Sequence, residues 1–303
     1  MARWDPTGID EADFLPEPFQ TADQASVSGQ RQTLRWYRGM ILMLVAAAVV
    51  GAVASTKASV APLISVAAFL LAGYFWARLR RANPQAQWYG ARAAAESVKT
   101  LAWKYVVRAR PFGGPADSPE VDEVYRIQVA DVLRAFEESG ALAPGAVPEI
   151  TDGMRQLRAA DLPMRRTVYL RLRVEGQRTW YLAKAAACES QSVSWGLGTV
   201  ALMIVGGAAA VAQALGALSV SIFGACSAAA AAIIAWTQLK QLRPLVSAYQ
   251  LAAKELDVVW GKLTAIELND PDAEASWSQL AGDVEDAVAR EHTSWRARRA
   301  FPR

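Results

Sequence analysis

Residues 190–239 read SQSVSWGLGTVALMIVGGAAAVAQALGALSVSIFGACSAAAAAIIAWTQL and contain no Asp, Glu, Lys, Arg or His. A helix needs about 20 apolar residues to cross the hydrocarbon core of a bilayer. A stretch of this length therefore predicts two membrane spans joined by a short turn. We place the spans at about 193–212 and 217–237, with the turn near 213–216.

A second uncharged region lies upstream, at 39–56 and 58–77, and is interrupted only by Lys57. It predicts two further spans. The expected fold class is an all-α membrane protein with four transmembrane helices in two hairpins, extended by long cytoplasmic helices. Aromatic residues such as Trp76 and Trp236 close the pairs, as is typical at a membrane interface. The spans are rich in Ala and Gly, so the alternative is a soluble protein with two buried Ala-rich hairpins.

Basic residues flank the same ends of the predicted spans. Arg35 and Arg38 precede the first span, Arg80 and Arg81 follow the second, and Lys240 follows the fourth. Loops rich in Lys and Arg stay in the cytoplasm. We therefore predict that both termini and the middle segment are cytoplasmic and that the lipid bilayer is the first partner of the chain.

Composition argues against several kinds of chemistry. The chain of 303 residues has one histidine and two cysteines, so a histidine-based triad, a zinc site or a disulfide framework is not expected. It contains neither a P-loop nor a G-x-S-x-G motif. No charged residue other than Lys57 lies among the predicted spans, so ion-coupled transport is not indicated. We expect no enzymatic activity, no cofactor or metal, and no nucleic-acid partner.

Proline, glycine and charge divide the rest of the chain. We predict a flexible acidic tail at 1–20, a first unit at 21–112, a helical connector at 113–162, and a second unit with C-terminal cytoplasmic helices at 163–303. A weak internal repeat suggests two copies of one unit. Gly-Gln-Arg and Trp-Tyr precede the first pair of spans at 29–37 and the second pair at 176–181.

Two helix starts outside the spans have clear signals. Ser118-Pro119 combines a capping hydroxyl with proline at the first helical position. The apolar face expected for that helix is Val121, Val124, Val132 and Phe136. Asp161 and Pro163 begin another helix, which we expect to continue without a break into the third span.

Polar and aromatic side chains recur at steps of three and four on the cytoplasmic helices next to the spans. Such a stripe suits a packed, hydrogen-bonded contact, so we predict a buried polar seam in which Glu96 pairs with Arg92 or Lys99. The candidate residues of this seam are Ser26, Gln30, Arg92, Glu96, Lys99, Trp103, Tyr169, Arg173, Gln177 and Trp180. The basic excess at 78–110 suits anionic lipid or, alternatively, an anion or nucleotide site.

Small residues stand at four-residue steps within the spans, which allows helices to approach closely. That contact lies either within one chain or between chains around an axis, where it would surround a pore. The candidate residues for lining a pore or packing the spans are Thr199, Gln213, Ser219, Ser221, Gly224, Ser227, Ala228 and Ala232.

Four stretches outside the spans carry a family likeness. They are LPEPFQTADQASVSGQRQTLRWY at 15–37, WYGARAAAESVKTLAWKYVVRARPF at 88–112, RTVYLRLRVEGQRTWYLAKA at 166–185 and EDAVAREHTSWRARR at 285–299. With them the chain resembles the SLATT family, as two SLATT-like units in tandem.

The resemblance implies a multi-pass effector of the bacterial inner (plasma) membrane, built from two-span units that are proposed to form pores. Members of the family are associated with nucleotide second-messenger defence systems and with SLOG-type sensor domains. The resemblance also implies a homo-oligomer. Since no sensor domain is recognised in this sequence, we expect that the trigger is either absent or a separate nucleotide-sensing or second-messenger-producing partner.

Two functions of different kinds remain open at this point. The first is a homo-oligomeric membrane pore or ion channel that the cytoplasmic helices gate. The second is a membrane-anchored helical scaffold that binds cytoplasmic partners. Polar residues in the spans favour the pore mildly, whereas the large cytoplasmic portion fits both functions.

Overall fold

A computed structural model describes residues 8–54, 60–143, 145, 147–218 and 222–299, with the side chains at 53, 54 and 289–299 left out. Lys57, Ser219 and Ser221 lie outside the described residues. The elements in order are a 3₁₀ turn Glu11–Phe14, α1 Glu17–Ala54, α2 Ala61–Ala82, α3 Pro84–Val106, α4 Pro119–Glu138, α5 Asp152–Ala159, α6 Leu162–Val168, a π-helical segment Tyr169–Glu175, α7 Gly176–Ala214, α8 Ile222–Lys240, α9 Leu242–Thr264 and α10 Ala273–Arg299. The described residues contain no strand, which confirms the all-α prediction.

Four helical stretches are long and apolar enough to cross a membrane, as the sequence predicts. They are Glu17–Ala52, Ala61–Ala82, Leu162–Ala214 and Ile222–Thr264. The third runs unbroken through α6, the π-helical segment and α7, so the prediction of one very long helix into the third span is confirmed.

Local chemistry explains where several helices begin and end. Oγ of Ser118 accepts a hydrogen bond from the backbone N–H of Val121 at 3.4 Å, and Asp161 caps α6 in the same way. Asn83 at φ 39° ends α2, and Gln241 at φ 51° separates α8 from α9. Left-handed residues of this kind stop a helix because the next N–H no longer points along the axis.

The chain forms two compact units. We call Met1–Gln30, Gln85–Trp180 and Ala252–Arg303 the core unit, and Arg31–Pro84 with Tyr181–Leu251 the span unit. The segments predicted at 21–112 and 163–303 each contribute residues to both units, and their boundaries stay a prediction.

In the span unit, α1 contacts α2 in an antiparallel sense. A Cβ on Gly39 would lie 3.0 Å from the Phe75 ring, and Oγ of Ser65 donates to the carbonyl of Ala47 at 2.6 Å. The residue number rises along one helix as it falls along the other. Antiparallel contact is what a hairpin requires, and the path of these helices across a membrane stays a prediction.

The helices α7 and α8 make the same kind of contact. A Cβ on Gly206 would lie 3.0 Å from Cβ of Cys226, and one on Gly198 would lie 3.9 Å from the end of Ile233. Small residues therefore allow close approach within this pair, as expected for helices that pack without a hydrophobic drive.

Residues 8–20 differ from the predicted flexible acidic tail. Phe14 is 1% exposed and packs against Trp103 with ring centroids 5.6 Å apart. The hydroxyl of Thr151 donates to the carbonyl of Asp13 at 2.9 Å, where Gly153 leaves room for the chain. Acidic and proline-rich composition predicted solvation, but the buried Phe14 ring and this hydrogen bond fix the segment to the core.

The buried face of α4 also differs from the prediction. Tyr125, Val129 and Leu133 are buried, whereas Val124 is 40% exposed. Two overlapping apolar stripes run along this helix. The aromatic cluster of Tyr105 and Phe112 selects the one that carries Tyr125, because ring contacts bury the larger apolar surface.

Candidate functional site

A buried ion pair lies at the centre of the core unit. Glu285 on α10 is 0% exposed and Arg173 in the π-helical segment is 4% exposed. Nε and Nη2 of Arg173 donate to the two carboxylate oxygens of Glu285 at 2.9 and 2.7 Å, and the Tyr169 hydroxyl donates to the same carboxylate at 2.8 Å. Such a pair survives burial only when bidentate geometry and further hydrogen bonds offset the loss of water.

One polar group of this pair makes no hydrogen bond in the part of the chain that the structure describes. Nη1 of Arg173 is buried without a hydrogen-bond partner among the described residues. A buried donor that makes no hydrogen bond costs about 1–3 kcal/mol, so this arrangement is less stable than a fully paired one. The ion pair is therefore strongly held on one side of the guanidinium and incompletely satisfied on the other.

Both side chains that bind Glu285 belong to the π-helical segment Tyr169–Glu175. A π-helix hydrogen-bonds from residue i to i+5 and is rare; it occurs mostly as single-turn insertions in α-helices, frequently at functional sites. Here it lies within the long helix Leu162–Ala214, which continues directly into the uncharged stretch. The buried ion pair thus holds the one irregular turn of that helix.

Aromatic rings enclose the cluster. Tyr169 meets Trp103 at 5.6 Å and Trp277 at 5.7 Å between centroids, both edge to face. The indole N–H of Trp277 donates to the carbonyl of Val107 at 2.8 Å. Because these rings keep water away, the effective dielectric is low and the Arg173–Glu285 attraction is strong.

The N-terminal segment closes a neighbouring part of the same core. Glu11 accepts hydrogen bonds from Nζ of Lys99 at 2.7 Å and from the indole of Trp103 at 3.0 Å. Glu96 instead forms an ion pair with Arg92 at 2.5 Å. The two acids therefore take different cations along one face of α3.

Arg158 ties the loop after α3 to α5. It is 1% exposed and donates to four carbonyls, those of Tyr105, Phe112, Pro115 and Ala116, at 2.9–3.1 Å. Burial lowers the pKa of the Arg158 guanidinium. Five donors in a rigid fork suit this role better than the point charge of a lysine.

A tyrosine–carboxylate pair lies beside this arginine. The Tyr105 hydroxyl donates to Asp122 at 2.5 Å, and Nη1 of Arg155 donates to the other oxygen at 2.8 Å. Burial and the Asp122 charge raise the pKa of Tyr105 above its usual value. Burial by itself raises the pKa of Asp122, but the bonds from Tyr105 and Arg155 outweigh it and hold that pKa below its usual value.

The structure brings only part of the predicted polar seam together. Ser26, Glu96, Lys99, Trp103, Tyr169 and Arg173 are buried in the core unit. Gln30, Arg92 and Gln177 are half-buried, and Trp180 is 39% exposed. The seam is therefore a compact cluster around Trp103 and Tyr169 rather than one continuous stripe.

Sequence reasoning missed the acidic partners and two of the arginines. They are Glu11, Glu285, Arg158, and the pair in which Nη2 of Arg165 donates to the carboxylate of Glu274 at 2.6 Å. For Glu285 a signal exists, because it follows Trp277 and Ala281 at four-residue steps and so places a charge on an apolar stripe. For Arg158 nothing in the local pattern separates a buried arginine from a solvated one.

The predicted pore and span-packing residues are placed as follows. Gln213, Gly224 and Ser227 are exposed, and Thr199, Ala228 and Ala232 are half-buried. The Thr199 hydroxyl donates to the carbonyl of Trp195 at 2.9 Å, so its polarity is satisfied within α7. Ser219 and Ser221 lie outside the described residues.

The described residues contain no group of three or more His, Cys, Asp or Glu side chains that could hold a metal ion. The cluster is an arrangement of ion pairs and hydrogen bonds that can be made or broken. Every charged group in it already faces a partner of opposite sign or a backbone carbonyl. The cluster is therefore suited to holding or releasing a conformation.

Comparison with known families divides the chain into two matches. A family model described as SMODS and SLOG-associating 2TM effector domain 3 (SLATT_3) matches residues 16–166. A second, SMODS and SLOG-associating 2TM effector domain 1 (SLATT_1), matches residues 169–295. No curated protein and no solved structure gives a significant match. The two matches meet at the start of the π-helical segment.

Proposed function

The chain belongs to the SLATT family, with two SLATT domains in tandem, and we propose that this membrane-associated effector assembles into a homo-oligomeric pore or ion channel. In this proposal it acts in the bacterial inner membrane with both termini in the cytoplasm. It is not an enzyme. A separate nucleotide-sensing or second-messenger-producing protein supplies the trigger of a defence response.

The observation that carries the proposal is how little of the spans the chain itself covers. In the most apolar 18-residue stretch of each of the four helices, only 6, 6, 11 and 17% of the residues are buried within the chain. Lipid can cover apolar side chains, but Ser227 is an exposed polar group well inside the predicted fourth span on α8. Polar groups at membrane depth usually face a partner helix or a water-filled cavity, and an oligomeric pore supplies both.

The π-helical segment offers a route from trigger to pore. It carries Arg173 of the buried pair and continues within one helix into the third span. Converting a π turn to an α turn shifts the hydrogen-bond register by one residue, which rotates the following helix by about 100°. A partner that breaks the buried pair would thereby change which face of α7 points to the axis of the assembly.

The test compares the conductance and the assembly size of the wild-type protein with those of one variant in the fourth span. Ala228→Leu places a larger side chain on the small-residue row of Gly224, Ala228 and Ala232, where overpacking costs about 1–3 kcal/mol in each subunit. We expect wild-type protein to give single-channel currents in planar bilayers. The variant should keep its helix content, elute as a smaller species and lose conductance.

Ala229→Leu is the matched control, since Ala229 is half-buried like Ala228 but points about 100° away from it around α8. It should leave both elution and conductance unchanged. Wild-type protein without currents above a detergent-matched blank would remove the pore proposal. An Ala228→Leu protein of wild-type size would mean that the row faces lipid.

A scaffold is the second candidate, and one observation favours it. On α4, Val124 is 40% and Ile127 is 51% exposed, which leaves an apolar edge on the core unit uncovered. A scaffold predicts that Val124→Asp abolishes capture of the cytoplasmic partner while conductance is absent throughout. A pore predicts measurable currents whether or not that edge is changed.

The proposed orientation has its own test. Reporter fusions at Ala2 and Arg303 should both be active only in the cytoplasm, because the basic flanks keep these ends inside. A reporter that is active outside the cell at both positions would reverse the orientation without affecting the assembly test.

A further inference from the structure

The span unit contains a groove of about 510 Å³ between α7 and the start of α9. Glu189, Ser192, Val193 and Leu197 line it from one face of α7, at steps of three and four residues. Arg243 and Ser247 line it from α9. The volume is within the range of about 300–1,000 Å³ that is usual for small-molecule sites.

The lining changes character along α7. Glu189 is the last charged residue before the uncharged stretch, and Leu197 lies eight positions further on. At a rise of 1.5 Å per residue, the groove therefore passes from a charged end to an apolar end over about 12 Å. A ligand that fits it has a charged head and an apolar body.

The charged end carries one group of each sign. Glu189 and Arg243 are both exposed, and neither forms an ion pair with any residue in the described part of the chain. Ser192 and Ser247 also line the groove. The lining is thus neutral overall, but offers a carboxylate, a guanidinium and two hydroxyls to a ligand.

We propose that this groove binds a zwitterionic membrane phospholipid with a primary ammonium headgroup. The Arg243 guanidinium binds the phosphate, since planar donors suit phosphate oxygens. The Glu189 carboxylate accepts hydrogen bonds from the ammonium, and the lipid chains follow Val193 and Leu197. An anionic phospholipid satisfies Arg243 alone and meets repulsion from Glu189, so it binds less well.

A glycine in the groove allows a selective block. Gly196 lines the groove, and a Cβ there would meet nothing within 4 Å. Gly196→Leu therefore starts its side chain in open space and narrows the groove. Gly207 stands on the same helix outside the groove and is equally open, so Gly207→Leu is the matched control.

The experiment is native mass spectrometry of delipidated full-length protein titrated with dioleoyl phosphatidylethanolamine or dioleoyl phosphatidylglycerol. Wild-type chain should hold one saturable phosphatidylethanolamine, up to about fivefold tighter than phosphatidylglycerol, which is the upper end of the factor that one exposed ion pair supplies. Gly196→Leu should lose that molecule, and Gly207→Leu should keep it. Glu189→Gln should remove the preference, and Arg243→Gln should weaken both lipids.

Gly196→Leu that binds phosphatidylethanolamine as the wild type does would overturn the proposal. So would unsaturable binding, or a preference for phosphatidylglycerol that Glu189→Gln leaves unchanged. If Gly196→Leu loses helix content by circular dichroism, the two charge variants decide by themselves. None of these results depends on conductance, so this inference and the pore can fail separately.

Discussion

The core unit and the span unit bury different kinds of side chain. The core unit encloses Trp103, Trp277, Arg158 and Arg165, each less than 2% exposed. The span unit leaves large apolar side chains uncovered, with Leu63 at 72% exposure. The core unit therefore buries charged side chains, whereas the span unit exposes large apolar ones.

The difference indicates which surroundings each unit requires. Buried charges need specific partners, and in the core unit each buried charge has its own partner, held at hydrogen-bonding distance by the fold. Uncovered apolar helices need either lipid or another copy of the chain, because exposing so much apolar surface to water is unfavourable. The core unit is therefore fixed by pairing, and the span unit by the medium around it.

The glycines repeat this contrast. In the core unit a Cβ on Gly90 would lie 2.4 Å from Cβ of Ala141, and one on Gly153 would lie 2.6 Å from the carbonyl of Asp13. In the span unit a Cβ on Gly73 or Gly207 would meet nothing within 4 Å. Packing is closed in the first region and open over much of the second.

The largest effect is expected at the buried ion pair. Glu285→Ala leaves Arg173 charged and buried without its partner, which costs about 3–5 kcal/mol in free energy of unfolding. Asp283→Ala on the same helix breaks the exposed pair with Arg110 and should cost less than about 1 kcal/mol. Denaturant titration of detergent-solubilised protein measures both. Equal losses for the two variants would contradict the claim that pairing of buried charges fixes the core unit.

A smaller effect is expected from adding one methyl group in each unit. Gly90→Ala forces a contact that overpacking values put at about 1–3 kcal/mol, of which better helix propensity recovers up to about 1. Gly207→Ala adds the same methyl group to open space and should be neutral or slightly stabilising. Melting temperatures of the two variants provide the comparison. A Gly207→Ala protein that melts lower than Gly90→Ala would mean that a partner covers the open face.

The smallest effect concerns pH. Because the pKa of Asp122 is lower in the folded chain than in the unfolded one, its carboxylate stabilises the fold above about pH 4, and this contribution disappears as the pH falls through the folded pKa. Asp122→Asn should therefore lower the melting temperature at pH 7, and the gap to wild type should narrow towards pH 3. Asp131→Asn, at an exposed pair with Arg134, should follow the wild-type curve. Parallel curves for Asp122→Asn and wild type would rule out this role.

The pattern of residues predicted the long elements and missed the partners. Uncharged length and the Asp161-Pro163 start were sufficient for the 53-residue helix, because both signals are local. The buried face of α4 was predicted one residue out of register. The two apolar stripes of this helix are equally apolar, and only the contacts of Tyr125 with Tyr105 and Phe112 decide which one is buried. Glu11 was assigned to a solvated tail because acidic composition says nothing about an indole 92 positions away.

By itself the sequence determined the all-α class, four helices of membrane length and the tandem family, because these depend on hydropathy, periodicity and motifs within a few residues of one another. Only the tertiary structure decided which charges are buried and what they bind. Arg173 and Glu285 lie 112 positions apart, and the cost of burying either is offset only when the fold brings them within hydrogen-bonding distance. The same holds for the groove, whose two charges come from helices that meet only after folding.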